Sequence, residues 1–331
     1  MILERDEPLH QTLLKFLHQH NLENQNAIAV AVSGGPDSMA LAGSLIQIYE
    51  GDIHIISVDH GLRAQSKDEV KSIEKWVFDL GLDNVNFAGL AWKEDKPENA
   101  VMENARRARY DLMFDYCRGA GIDTLFVGHH QNDQAETFLM RLAKGSGLDG
   151  LAGMFEYKRN NEMNLARPFL DHPKSDLIEY CHQHEIGFIE DSSNTNNKFM
   201  RPRLREAMPA LAEEGLTEKR LALTTKRLKR AREALQLISN QAFEGALLLQ
   251  NDDVTEFNLE SLKQYPEEIG LRVLQRAVEY FRPDAAYNVR MEKLEDLFED
   301  LWRDPEGYKA RTLGGCKISV KKEKLIVEKE K

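Results

Sequence analysis

Residues 27–46 read Ala-Ile-Ala-Val-Ala-Val, then Ser-Gly-Gly-Pro-Asp-Ser, then an apolar helical pattern at Met39, Leu41, Ala42, Leu45 and Ile46. This passage restricts the fold more than any other. Six consecutive apolar residues mark a strand buried on both faces, the kind found in parallel sheets. A strand that runs through two glycines into a helix is a βα unit whose turn can take positive φ and bring the backbone close to a ligand. Free N–H groups and the helix dipole at such a turn attract an anion, and Ser33 and Ser38 add hydroxyl donors. A plain βα turn, with Asp37 and Ser38 capping the helix, is the ordinary alternative, but it does not call for all five positions of Ser-Gly-Gly-x-Asp-Ser. The Gly-Lys-Ser/Thr ending of a Walker loop is absent, so γ-phosphoryl transfer is not the first expectation. Asp37 beside bound phosphates makes electrostatic sense with Mg²⁺ between them.

The same rhythm continues downstream. Residues 53–58, 85–90 and 124–127 read as further strands, and residues 66–80, 98–120 and 134–144 as helices between or after them. This alternation predicts an α/β fold, a parallel sheet with helices on both faces. Beyond residue 200 the pattern turns helical (204–212, 216–248, 266–281, 288–302) and closes on alternating residues 315–330 around the polar turn 321–324, a β-hairpin signal. A chain of 331 residues accommodates the two domains this implies, 1–200 and a mainly helical 201–331 ending in the hairpin.

A net charge of −11 argues against nonspecific coating of nucleic acid, yet residues 198–232 hold eleven basic and four acidic residues. That segment is a backbone-tracking stripe or a solvated helix face. The longest apolar run, residues 27–32, is far short of the roughly 18 residues of a membrane helix, so no membrane partner is expected. Cys117, Cys181 and Cys316 are scattered and odd in number, which leaves neither a disulfide framework nor a CxxC pair and points to a reducing cytoplasm.

Two polar stretches follow strands: Asp59-His60-Gly61-Leu62-Arg63, and residues 128–137, Gly-His-His-Gln-Asn-Asp-Gln-Ala-Glu-Thr. Ligands of open α/β sheets bind at strand C-terminal ends, so both should border the crevice of the phosphate loop. Taken singly each histidine is an ordinary hydrogen-bonded one, and adjacent His129 and His130, without Cys or a third His at ligand spacing, do not make a zinc site. Asp133 and Glu136 lie three apart at the start of a helix, which puts two carboxylates on one face. Acidic residues there also simply favour the dipole, but Arg141 and the glycine-rich residues 145–150 that follow exceed what a helix stop requires.

The loop Ser33–Ser38 resembles that of the N-type ATP pyrophosphatase (PP-loop) superfamily. Together with residues 59–63, Asn-Ala-Arg-Arg-Ala-Arg-Tyr at 104–110, residues 128–137, 138–154, Ala-Arg-Pro-Phe-Leu at 166–170 and Thr-Leu-Gly-Gly-Cys-Lys-Ile-Ser at 312–319, the chain resembles the tRNA(Ile)-lysidine synthetases over nearly its whole length. That resemblance implies a Rossmann-like PP-loop ATPase domain followed by a mainly helical tRNA-contacting domain, in the shorter of the family's two forms. It implies a ligase that uses ATP and Mg²⁺ to adenylate the wobble cytidine of the CAU-anticodon isoleucine tRNA. The same enzyme would attach free L-lysine at position 2, release AMP and pyrophosphate, and switch codon reading from AUG to AUA. Carried over residue by residue, ATP would be bound by Ser33, Gly34, Gly35, Pro36, Asp37, Ser38, Asp59, His60, Arg106 and Arg109. Asp37 would meet Mg²⁺ through the phosphates; Asp37, Asp133 and Glu136 would be catalytic, with Asp133 and Glu136 binding lysine. Arg201, Arg203, Arg205, Lys226, Arg227, Lys229 and Arg230 would contact tRNA, and a homodimer is left open. Two positions depart from the family pattern: Asn132-Asp133 where two acids are usual, and Arg-Pro-Arg-Leu-Arg at 201–205 where Arg-Asn-Arg-Ile/Leu-Arg is common. A sulfur-inserting enzyme of the superfamily would need a cysteine pair, and an amidotransferase a nucleophilic cysteine domain. A non-catalytic nucleotide sensor would leave Asp133, Glu136 and the basic stripe without a role.

Overall fold

The structure, a computed structural model, describes residues 7–59, 61, 66–81, 83–92, 101–159, 163–190, 199–281 and 290–330, and of residues 101–103 the backbone only. The chain runs α1 (Pro8–His20), β1 (Ala27–Ala31), α2 (Pro36–Ile48), β2 (Asp52–Asp59), α3 (Ser66–Asp79), β3 (Val85–Ala91), α4 (Val101–Gly119), β4 (Thr124–Val127), α5 (Gln131–Leu142), α6 (Leu148–Leu151), β5 (Tyr157–Lys158), β6 (Asn164–Ala166), α7 (Lys174–Gln183), α8 (Met200–Glu213) and α9 (Glu218–Ala246). It continues through β7 (Leu247–Gln250), β8 (Val254–Asn258), α10 (Leu259–Lys263), α11 (Glu267–Tyr280), α12 (Met291–Arg303), β9 (Arg311–Leu313), β10 (Cys316–Lys321) and β11 (Lys324–Lys329).

The first sheet has the order β3-β2-β1-β4-β6-β5, parallel except for the antiparallel edge pair β5–β6. Its central strands β1 and β4 are buried on both sides because both sides are covered. Ile28, Val30, Ile53, Ile55 and Phe126 face a core built with α1, α2, α3 and α7, whereas Ala29, Ile56, Leu125 and Val127 face Met113 and Cys117 of α4. The expected α/β sheet with helices on both faces is what forms. From β1 the chain builds outward to β2 and β3, then crosses to β4 on the other side of β1. The reversal lies between β1 and β4, and such a switch point opens a crevice at the strand C-terminal ends. Gly43 of α2 makes room for the segment that follows α7: a Cβ placed there would come within 2.4 Å of Ile186 Cδ1.

Two compact units are present, Met1–Leu228 and Lys229–Lys331. The change of sequence rhythm near residue 200 and this division mark different things. Met208 and Leu211 of α8 and Leu221 and Leu228 of α9 join Ala135, Phe138 and Leu139 of α5 in one apolar cluster, so the first helices after residue 200 belong to the first unit. The second unit has its own core of Phe243, Phe257, Leu274, Leu297, Ile318 and Val327, among others, around a five-stranded antiparallel sheet in the order β7-β8-β11-β10-β9. The hairpin read from the sequence is β10–β11, turned by Lys322 and Glu323 at φ 47° and 61°. The other three strands were not legible. Leu247–Gln250 continues the apolar pattern of α9 and becomes strand only because β8 offers it a partner.

Candidate active site

The phosphate loop follows β1 into α2. Gly34 has φ +87°, and a Cβ there would meet Ile189 Cδ1 at 2.6 Å and Ile73 Cδ1 at 2.9 Å, so only glycine fits. The two serines are wired to the loop itself: the Ser38 hydroxyl accepts from Ser33 N–H (3.1 Å) and donates to Gly35 O (3.0 Å). No side chain caps α2, whose N-cap is Gly35 with Pro36 at the first helical position. Asp37 therefore does not serve as the helix cap, and the N-terminus of α2 opens on the crevice ready for an anion. At the end of β4, Gly128 lets the neighbouring turn come in: a Cβ there would stand 2.7 Å from Asp37 O.

A cleft of ≈ 960 Å³ opens at this switch point, lined by Ser33, Gly35, Pro36, Asp37 and Ser38, by β2 and α3 residues, by Arg109, Tyr110 and His129, and by Lys174 and Arg205. Asp37 Oδ1 is buried and has no hydrogen-bond partner. An orphaned carboxylate oxygen beside an uncapped helix start suits a hard divalent cation, so the residues present fit Mg²⁺ at Asp37.

Behind the cleft wall lie the two acids of α5. His130, itself buried, stands between carboxylates: its Nε2 is 3.5 Å from Asp37 Oδ2 and 3.6 Å from Asp133 Oδ2. Its backbone N–H donates to Asp133 Oδ2 (3.2 Å) in a capping box, which fixes that side chain at the helix start. Glu136 is held from α8: Arg205 Nε donates to Oε1 at 2.5 Å and Nη2 to Oε2 at 3.4 Å, with Arg201 Nε 4.0 Å from Oε2. The Glu136 bond raises the Arg205 pKa.

Guanidinium groups gather around His129, the neighbour of His130. Arg106 and Arg109 lie over the Tyr110 ring, 5.2 and 5.7 Å from its centroid. Burial, and then the nearby charges of Arg106 and Arg201, hold Arg109 below the usual arginine value despite the opposing influence of Tyr110. Burial lowers Arg167 as well. The His129 imidazole is pushed down to about 3, first by burial and then by Arg167, Arg106 and Arg201 against the pull of Asp133. It is neutral at physiological pH. Like charges crowded round a desolvated cleft call for a polyanion.

Other expected residues lie elsewhere. The Asp59 carboxylate is turned into its own loop, accepting from Gly61 N–H (2.7 Å) and Ser66 Oγ (2.5 Å). His60 lies outside the described residues. On α9, Arg227 and Arg230 are exposed, Lys226 pairs with Asp171 at 2.6 Å, and Lys229 lies 4.0 Å from Glu233. Arg203 of α8 is exposed. Arg141 donates to Gly150 O and Gly153 O, fastening the glycine-rich turn instead of facing the cleft. Cys117 and Cys181 are buried thiols, each pushed up to about 12 by burial, which disarms them as nucleophiles. Among the described residues no helix is long and apolar enough to cross a membrane.

Comparison with known proteins gives the family. Residues 6–211 match the model of a PP-loop domain family. The tRNA(Ile)-lysidine synthase of Bradyrhizobium diazoefficiens is 37% identical over 268 residues, covering 78% of this chain and 73% of that protein. The tRNA(Ile)-lysidine synthase of Methylobacterium nodulans is 38% identical over 280 residues, 82% of this chain and 79% of that protein. The chain belongs to the tRNA(Ile)-lysidine synthase family. Among solved structures, a U34-tRNA thiolase from Methanococcus maripaludis superposes with a TM-score of 0.56 at 18% identity, over 67% of this chain and 78% of that one, which establishes the shared fold.

As a tRNA(Ile)-lysidine synthase family member the chain is an ATP-using PP-loop ligase. Its two departures from the family pattern have physical accounts. Asn132 uses both ends of its amide, donating to Glu218 Oε1 (3.3 Å) and accepting from Lys174 N–H (3.1 Å), which a carboxylate beside Glu218 could not do. Pro202 stands in the first turn of α8, where a missing N–H breaks no helical bond. Sequence reasoning passed over His130, Lys174 and Arg167 as site residues. Arg167 sits in the segment 166–170, Ala-Arg-Pro-Phe-Leu, and a lone arginine among apolar residues was the signal available; the structure buries it.

Proposed function

We propose that this enzyme attaches free L-lysine to position 2 of the wobble cytidine of the CAU-anticodon isoleucine tRNA, cleaving ATP to AMP and pyrophosphate and changing the codon read from AUG to AUA. One observation carries the reading: an uncapped phosphate-loop helix and Arg109 and Arg205 line one cleft, with two buried acids directly behind its wall, Asp133 sharing His130 with Asp37 and Glu136 held by Arg205.

The cytosine carbonyl oxygen is a poor leaving group, so lysine's amine needs it activated. In the proposed sequence that oxygen attacks the α-phosphate of ATP, pyrophosphate departs, and the ε-amine then expels AMP. Ser33 to Ser38 and the N–H groups that open α2 bind the phosphates. Mg²⁺ held at Asp37 would neutralise phosphate charge. Arg106 and Arg109 balance the adenylate, and Asp59 acts on ATP through the loop it holds. His60 keeps its proposed place beside ATP on the sequence resemblance alone. Freeing the ε-amine of one proton at pH 7 costs about 4.6 kcal/mol from a reference pKa near 10.4. Asp133 and Glu136 are the groups that hold the ammonium and receive that proton, Glu136 in competition with Arg205. Arg201, Arg203 and Arg205 of α8 and Lys226, Arg227, Lys229 and Arg230 of α9 track the tRNA backbone. The rest of the protein's contribution is positioning and charge stabilisation.

The test is incubation of the full chain with Mg²⁺, ATP, labelled lysine and unmodified CAU-anticodon tRNA. AMP should form and label should stay in RNA only when every component is present. AMP formed without label in RNA would remove lysine from the reading and leave the adenylation standing.

A further inference from the structure

Loop 33–38 has an acid where a Walker loop carries its lysine, so the cation for the outer phosphates must come from another element. Lys174 stands in the right place. It opens α7, the helix that lies beside α2, and its Nζ is 3.9 Å from Asp37 Oδ2. Both side chains line the cleft with Ser33, Gly35 and Ser38. The Lys174 side chain is 43% exposed and its ammonium is only at the outer limit of ion pairing, so it can turn to a ligand at little cost. Its backbone is not free in the same way, because Lys174 N–H is anchored on Asn132 Oδ1 at 3.1 Å. Asn132 is thereby explained as the post that sets the root of Lys174 beside the loop.

We infer that Lys174 is the phosphate-site lysine of this enzyme, binding the β- and γ-phosphates of ATP and then the leaving pyrophosphate. The inference rests on the ATP-cleaving part of the function proposed above and adds a residue and a role to it. In the step concerned, a bond forms between the cytosine oxygen and the α-phosphorus as the bond from that phosphorus to the β-bridging oxygen breaks. The electron pair leaves with pyrophosphate, and Lys174, an ammonium throughout, offsets the charge that appears there. No oxidant, reductant or further proton is required. An ordinary ion pair with Asp37 makes a different forecast, since it would give Lys174 no preference for the outer phosphates.

The experiment compares wild type, K174M and K174R as full chains with Mg²⁺, measuring equilibrium binding of inorganic pyrophosphate and of AMP, and then the steady-state constants. K174M should bind pyrophosphate at least ~10-fold more weakly while AMP affinity changes less than ~2-fold, and K174R should recover most of the loss. Catalysis should show kcat for AMP formation lowered ~100-fold, the size expected for a lost transition-state charge contact, with KM for lysine unchanged. Pyrophosphate affinity within ~2-fold of wild type overturns the inference, as does an equal loss for pyrophosphate and AMP, the mark of a disturbed fold. Pyrophosphate binding needs neither tRNA nor lysine. If wild type puts no lysine into RNA while K174M still loses pyrophosphate selectively, the lysine assignment falls and Lys174 keeps its role.

Discussion

The phosphate loop, which lines the cleft, and the acid pair of α5, which lies behind the cleft wall, are built in opposite ways. Within residues 33–38 the polar side chains of the two serines are satisfied locally, over five positions, and the N-terminus of α2 is left open. Glu136 is satisfied by a residue 69 positions away, and Asp133 shares buried His130 with Asp37 from another strand-helix turn. A site built locally can be read from a short run of sequence. A site built from distant residues depends on which helix the fold brings back.

The largest effect that separates the two halves is expected at Asp133. Asp133→Asn removes the acid proposed to hold and deprotonate the lysine ammonium, and should lower lysine transfer by at least ~10³-fold, while Mg-ATP binding, a property of loop 33–38, stays within ~3-fold. Single-turnover transfer and equilibrium ATP binding measure the two halves separately. Loss of both together would mean that His130 joins them into one unit.

Gly128→Ala probes the loop from its far side. The added methyl carbon would sit 2.7 Å from Asp37 O, a backbone atom that cannot swing away as a side chain can. A cost of about 3 kcal/mol, the upper end of overpacking, is expected from denaturant unfolding, with ATP affinity reduced as well. A neutral result would show that β4 and the turn into α2 can separate freely.

These positions also explain what was legible. Strand 27–31 was visible because burial on both faces makes it an unbroken apolar run, and 53–58, 85–90 and 124–127 because each is dominated by apolar residues despite His54, Ser57, Asn86 and Thr124. Ser33–Ser38 was visible because its chemistry is contiguous. Arg205 was read as a tRNA contact from its place in a basic stretch, and its fork on Glu136 could not be seen, because nothing within 69 residues of sequence encodes that α8 lies on α5. Strands β7, β8 and β9 escaped for a related reason. Their residues become strand through pairing partners in the sheet and not through their own period.

The Arg205–Glu136 contact should be lopsided in energy. Glu136 is only 5% exposed and Arg205 46%, so removing the arginine strands a buried carboxylate, whereas removing the acid leaves a cation that can reach water. Arg205→Met should cost about 2 kcal/mol of unfolding free energy and Glu136→Gln less than about 1 kcal/mol. The double variant should cost less than the sum of the two. Additive costs would mean that Arg201, 4.0 Å away, already carries the charge of Glu136.

The smallest effect is a pH dependence that belongs to the arginine flank. His129, with a value pushed down to about 3 by burial and then by Arg167, Arg106 and Arg201, folds as a neutral ring, whereas in the unfolded chain it titrates near its reference value of about 6.5. Between those two values the unfolded chain binds the extra proton, so stability rises with pH through the window and is lost as pH falls below about 6.5. The shift ceases to matter above that point. At pH 5.5 the penalty is about 1.4 kcal/mol relative to pH 7.5, and most carboxylates are still ionised there. His129→Asn keeps a small polar side chain without the titration. Its stability relative to wild type should therefore improve by that amount when urea unfolding is moved from pH 7.5 to pH 5.5. An unchanged gap would place His129 in contact with water or with Asp133 strongly enough to cancel the arginines. The cation crowd that distinguishes this flank from the self-contained phosphate loop would then be weaker than its geometry indicates.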